Sequence, residues 1–260
     1  MSYDQVKRIE YNGPVWTSER EPHPALADLL IARDRLIVLR SGEPPFLAVL
    51  GVPHQAAAGE EHICEKRQGK GQRDSDENAA LYALVAFTEL KERGLPCKLV
   101  IMAHATTHDP NKESETPYCK EILAAECSLL FECHGAASSR RLALELSAGS
   151  NGLAETRRFG QALASALGNR FTLGVQEKAG RREAWIFQTD GTKEEGKLEL
   201  AAIDTRSLKA AGEKKIAALH LEAQPTFRKP ADGSNTVTPD GQVLGRAIAQ
   251  AIIQCHDAQK

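Results

Sequence analysis

The sequence predicts an α/β fold in three layers, with helices on both faces of a central sheet. Three observations predict it. Short apolar runs recur at Phe46–His54, Lys98–His104, Cys127–His134 and Ile216–Glu222, and a near-continuous apolar run of this length reads as a strand buried on both faces. Segments with helical apolar spacing alternate with these runs, the pattern of strand–helix units. Three of the runs deliver a histidine to their carboxyl end. In open α/β sheets that edge forms the crevice where ligands bind.

Pro22, Pro24, Pro44 and Pro45 frame a helical stretch and a short strand, Leu36–Leu39, and the strand ending at His54 follows. A polar loop runs from Gly59 to Arg73. Asp74-Ser75-Asp76-Glu77 opens a helix with an inner face of Leu81, Leu84, Val85, Phe87 and Leu90, stopped by Gly94 and Pro96. The strand to His104 precedes a loop containing Asp109-Pro110-Asn111-Lys112, and a short helix over 118–125 leads to the strand ending at His134. Leu142, Leu144 and Leu146 alternate as in a strand, closed by Gly149 and Gly152. Phe159, Leu163 and Leu167 are spaced by four, giving a helix over 155–167 with Gly168 as its C-cap. Strands are expected at 171–175, 184–188 and 198–203, with a turn at Asp190-Gly191. After the strand to Glu222, a loop from Pro225 to Pro239 precedes a last amphipathic helix carrying Leu244, Ile248 and Ile252. No repeat or clear linker interrupts the alternation, so residues 1–260 read as one domain.

A chain of 260 residues is ample for a sizeable core. The net charge of −2 carries no signature of a nucleic-acid or anionic-membrane partner. No stretch approaches the ~18 consecutive apolar residues of a membrane span. Residues Met1 to Arg8 lack a signal peptide's apolar core, so the expected location is cytoplasmic. None of the six cysteines forms a Cys-x-x-Cys pair, which removes the thiolate zinc site and the redox dithiol. Cys97, Cys127 and Cys133 lie at or within apolar runs and read as core residues, and a disulfide framework is not expected.

The chemistry gathers at the strand ends. Catalytic zinc takes three protein ligands, often two histidines and a carboxylate, and keeps a fourth position open. His54 and His134 are the best pair, each followed by small residues that leave room for a ligand. The carboxylate stays open between Asp76, Glu77, Glu60 and Glu61, because Asp76 and Glu77 at a helix N-terminus are equally explained by capping and the helix dipole. Glu222 sits between Leu221 and Ala223, where an unpaired charge is costly. It serves either as a general base on a metal-activated water or as an ion-pair partner of Arg228 or Lys229.

In order, Pro53-His54, Asp74-Ser75-Asp76, Asp109-Pro110-Asn111-Lys112, Glu132-Cys133-His134, the alternating run Leu142 to Gly149, and Leu219-His220-Leu221-Glu222 resemble the pattern of the N-formylglutamate amidohydrolases, over roughly positions 46 to 228. These are zinc enzymes related in fold to metallocarboxypeptidases and aspartoacylase. The resemblance implies a mixed central sheet of the phosphorylase/hydrolase-like, zinc carboxypeptidase-like kind and a single hydrolytic domain. It implies Zn²⁺ held by His54, Asp76 and His134, with Glu222 as the catalytic glutamate. It gives Asn111 and Lys112 the task of holding a substrate carboxylate, with Arg140 or Arg141 assisting. The chain departs from the pattern at Lys112, where arginine is usual and the bidentate fork is lost. It departs also at Glu132 in place of aspartate and at Gln55 in place of a small residue.

The expected activity is therefore hydrolysis of the C–N bond of a small N-acyl amino acid, such as N-formylglutamate. A carboxypeptidase-like or γ-glutamyl hydrolase using the same site is the alternative. A metal-free binding module on the same fold is the alternative of another class, since fold does not fix function.

Overall fold

The computed structural model describes residues 3–60, 62–65, 72–106, 109–136, 142–148, 153–168, 171–178, 181–188 and 205–258. Its elements, in order, are β1 (Lys7–Glu10), α1 (Pro24–Ile31), β2 (Arg35–Ser41), β3 (Phe46–Ala56), β4 (His62–Glu65), β5 (Gln72–Asp74), β6 (Asp76–Glu77), α2 (Ala79–Glu92), β7 (Cys97–Ala103), α3 (Pro117–Leu123), β8 (Cys127–Gly135), β9 (Leu144–Ser147), α4 (Leu153–Leu167), β10 (Phe171–Lys178), β11 (Arg181–Gln188), α5 (Arg206–Glu213), β12 (Ala217–Ala223) and α6 (Pro239–Asp257). The strand expected at 198–203 and the turn at Asp190-Gly191 lie outside the described residues.

One mixed sheet runs β1-β2-β7-β3-β8-β12-β9-β11-β10, with β6 paired on the end of β3. Its centre, β7-β3-β8-β12, is parallel; on one flank β2 and β1 run antiparallel to it, and on the other β9, β11 and β10 each run antiparallel to the strand before. The polar stretch read as a loop contains the separate antiparallel pair β4–β5.

Side chains alternate across this sheet. Phe131 and Cys133 of β8, with Leu219 and Leu221 of β12, enter a large core that also holds Leu26, Leu84, Phe87, Phe159, Leu244 and Ile248, the buried faces of α1, α2, α4 and α6. Leu130 of β8 and Ala218 of β12 enter a smaller core with Tyr118 and Ile122 of α3 and Leu208 of α5. Even-numbered residues of β8 and β12 therefore face α3 and α5. Cys97 and Cys133 are buried as expected, and burial pushes the Cys97 thiol up to about 12. Among the described residues, no helix is long and apolar enough to cross a membrane.

Asp74 to Glu77 does not open the helix. Gln55 and Ala56 pair with Asp76 and Glu77 as parallel strands, and α2 starts only after Asn78, whose φ is 57°. The capping group comes from elsewhere: Gln55 Oε1 accepts from the Ala80 N–H at 2.8 Å. Gln55, a departure from the family pattern, is thus the cap of α2. Helix α5 escaped sequence reading because its inner face is short, with Ser207, Leu208 and Ala211 buried.

Gly51 on β3 makes room for the smaller helical layer. A Cβ there would lie 2.3 Å from Tyr118 Oη and 2.8 Å from Ile122 Cδ1. Both atoms belong to fully packed side chains. Gly51→Ala is expected to destabilise the protein by about 1–3 kcal/mol through overpacking, read as a drop in the midpoint of chemical denaturation. An unchanged midpoint would show that α3 yields freely.

Candidate metal centre

The histidine on β3 is aimed by an irregularity. Strands β3 and β7 lose register between Val52 and Gln55. Pro53 lies inside that interval and has no N–H to give the ladder, so a bulge relieves the pairing there. On the other side, β8 and β12 stay in register, which sets His134 beside Glu222 and Glu132 beside His220. All four occupy even positions and share the α3/α5 side of the sheet.

His54 and His134 converge on one oxygen. Asp76 Oδ2 lies 3.2 Å from His54 Nδ1 and 3.0 Å from His134 Nδ1. All three side chains are buried. Burial alone would raise the Asp76 pKa, but the bonds to His134 and His54 hold it well below the usual carboxylate range, so it stays ionised. The two rings stand 5.1 Å apart with planes inclined at 61°. Inclined planes let two in-plane lone pairs meet at one point. His54, Asp76 and His134 therefore form a donor set able to hold a metal ion.

The outer nitrogens fit the same reading. His54 Nε2 lies 2.9 Å from Asp109 Oδ1, the carboxylate–histidine arrangement that fixes a metal-binding tautomer. The Asn111 amide nitrogen lies 3.4 Å from His134 Nε2, and Asn111 Oδ1 has no partner in this orientation. Turning the amide places Oδ1 where a His134 Nε2–H donates. Both histidines then offer Nδ1 inward and keep an N–H outward. The loop bearing Asp109 and Asn111 is anchored, since Thr116 Oγ1 donates to the Pro110 carbonyl at 2.6 Å and the Arg206 N–H donates to the Asn111 carbonyl at 2.8 Å. Asp109→Asn is expected to weaken metal affinity about 10- to 100-fold, measured by chelator competition. Unchanged affinity would reduce Asp109 to a structural partner.

A second donor group, Glu132, His134 and His220, also lies close together. Its geometry argues against an ion. The rings of His134 and His220 are stacked, with centroids 4.0 Å apart and planes at 23°, so their lone pairs run nearly parallel and do not meet. His220 instead bonds Glu222 Oε1 through Nε2 at 2.9 Å, and its Nδ1 lies 3.9 Å from Glu132 Oε2. Burial would lower the His220 pKa, but the carboxylates of Glu132 and Glu222 outweigh it and raise the value to about 9. Glu132 is fully buried, and its Oε1 accepts from Tyr118 Oη at 3.0 Å and Ser207 Oγ at 2.6 Å.

The ion-pair partner expected for Glu222 is corrected by these contacts: it is His220, not Arg228 or Lys229. Lys229 pairs with Glu77, whose other oxygen accepts from the Gly59 N–H. Glu77 is thus committed away from His54 and His134. Glu60 is exposed, and Glu61, Arg140 and Arg141 lie outside the described residues. Buried Arg228 donates to three carbonyls, those of Glu77, Ala136 and Ala223, at 2.9, 2.7 and 3.3 Å. These carbonyls sit at the ends of β6, β8 and β12. Gly135 leaves space for the guanidinium, because a Cβ there would stand 2.5 Å from Arg228 Cζ. His104 stands apart, with Nε2 accepting from the Ala57 N–H at 2.9 Å. Lys112 lines a surface cavity of about 310 Å³ with Tyr3, Glu113 and Arg206.

Asp109 and His220 were missed by sequence reading. His220 had a usable signal, since it lies two residues before Glu222 in one strand and so shares its face. Asp109 sits in an irregular loop, where no periodicity marks a side chain's direction.

No family model matches the chain, and no curated protein matches it. Solved structures with some similarity include a metallo-carboxypeptidase from Burkholderia cenocepacia, at 15% identity and a TM-score of 0.47, covering 85% of this chain and 61% of that one. A metallo-carboxypeptidase from Pseudomonas aeruginosa, in complex with (2-guanidinoethylmercapto)succinic acid, follows at 13% and 0.46, covering 86% and 61%. A dinuclear metal binding peptidase of the M20 family from Bacillus subtilis is 8% identical with a TM-score of 0.36, covering 92% and 88%. This chain spans about three fifths of the length of the two carboxypeptidases.

Proposed function

We propose that the protein is a zinc-dependent amidohydrolase that cleaves the C–N bond of a small N-acyl amino acid, with N-formylglutamate as a candidate substrate. One observation carries the reading: two strand-end histidine Nδ1 atoms converge on a buried, ionised Asp76, with Glu222 on the adjacent strand. Zinc held by His54, Asp76 and His134 supplies Lewis-acid polarisation of the scissile carbonyl and makes water more acidic.

The remaining steps belong to the chain's own residues. Asp109 and Asn111 hold the two rings by their outer nitrogens. Glu222 has one oxygen bonded to His220, and among the described residues its Oε2 accepts no hydrogen bond. That oxygen takes the proton of the attacking water and returns it to the leaving amine. Lys112, with Arg140 or Arg141, balances the substrate carboxylate as a point charge.

The test is elemental analysis followed by a substrate panel. About one zinc per chain is expected, with turnover of N-acyl amino acids. A free carboxylate requirement should appear as a loss of about tenfold or more in kcat/KM when the amino acid is replaced by its amide, on the scale of one charge-assisted bond. Equal kcat/KM for acid and amide would reject the role of Lys112. Preferred cleavage of peptide or γ-glutamyl bonds would identify the carboxypeptidase-like alternative. Absence of stoichiometric metal would favour the binding module.

A further inference from the structure

His220 is flanked on three sides by groups of the candidate site. Its Nε2 bonds Glu222 Oε1 at 2.9 Å, one ring face stacks on His134, and its Nδ1 points toward Glu132 Oε2 at 3.9 Å. The Nδ1 and Glu132 Oε2 atoms are both buried without a hydrogen-bond partner. Glu132 is itself fixed by Tyr118 and Ser207. A chain of contacts thus runs from α3 and α5 through Glu132 and His220 to one oxygen of Glu222.

We propose that His220 is a positioning residue for Glu222, holding Oε1 so that Oε2 alone faces the reacting water. The proposal rests on the reading of Glu222 as general base. A free carboxylate samples several rotamers and can offer either oxygen. Anchoring one oxygen removes that freedom before substrate arrives, which is how a side chain away from the reacting atoms raises turnover. The stack on His134 keeps the anchor at a fixed distance from the metal donors. The glutamate at 132, where the family pattern has aspartate, reaches Tyr118 and Ser207 while its second oxygen lies beside the imidazole.

The experiment uses the zinc-loaded protein and the N-acyl amino acid panel headed by N-formyl-L-glutamate. His220→Phe keeps a ring on His134 and removes the N–H. It should lower kcat about 10- to 100-fold, the scale of a misplaced catalytic group, with KM and zinc content unchanged. His220→Gln, which retains an N–H donor, should recover part of the loss and covers the case in which the Phe variant folds poorly. Added to Glu222→Gln, His220→Phe should cost nothing more, because it acts through Glu222. A further drop in that double variant, a raised KM or lost zinc would assign His220 a structural role and overturn the proposal. Normal kcat in His220→Phe would overturn it while leaving Glu222 as the base. Normal kcat in Glu222→Gln would overturn the general-base reading itself, and the proposal with it. Independently of activity, ¹⁵N-histidine NMR should show a His220 Nε2–H protected from exchange in both zinc-loaded and metal-free protein. That signal should shift in Glu222→Gln, and its absence from the wild type would also overturn the proposal.

Discussion

His134→Ala is expected to abolish metal binding. The substitution leaves His54 and Asp76, below the three ligands that catalytic zinc sites use. It also removes a buried ring that lies against Asp76 and stacks on His220, so a stability loss of about 2–4 kcal/mol is expected with it. Far-UV circular dichroism first establishes that the variant is folded. Elemental analysis should then find zinc near zero, with activity lost in parallel. Asp76→Ala should behave alike in metal content. Its carboxylate faces the two histidines and the helix cap is Gln55, so the first turn of α2 should survive. Full zinc occupancy in folded His134→Ala would reject the metal centre.

Glu222→Gln is expected to keep the metal and lose turnover. The amide preserves shape and can still accept from His220, but it cannot take a proton. A fall in kcat of ~10² or more is the scale of general-base catalysis. KM should hold, because proton transfer belongs to the transition state. Burial would raise the Glu222 pKa, but its bond to His220 and the charges of His220 and His134 lower it, so the carboxylate is ionised at neutral pH. Near-normal turnover would leave Glu222 as the structural partner of His220 alone.

The parts of this fold legible in sequence were those with strong apolar periodicity. Leu81, Leu84, Phe87 and Leu90 lie on the buried side of α2, and Leu244, Ile248 and Ile252 on that of α6. The runs ending at His54 and His134 are neighbouring central strands. Asp76 reads in sequence as part of a helix start, but the end of β3 recruits it into a two-residue strand. Pairing between distant segments leaves no mark in a local window. The contacts of Asp109 and Glu132 are hidden for the same cause, since each depends on a register or a loop path set by tertiary packing. The β1 strand pairs through Lys7 to Glu10, a charged stretch without alternation to betray it.

Arg228 has a consequence for how this centre moves. Its guanidinium binds the terminal carbonyls of three strands at once, two of which carry Asp76 and His134 near those ends while the third carries Glu222. A fluctuation that frees one of these strand ends must break a bond to a buried cation, and that cation then loses its grip on the others. Opening of these three strand ends should therefore be collective, read as a shared protection of their amides against solvent exchange.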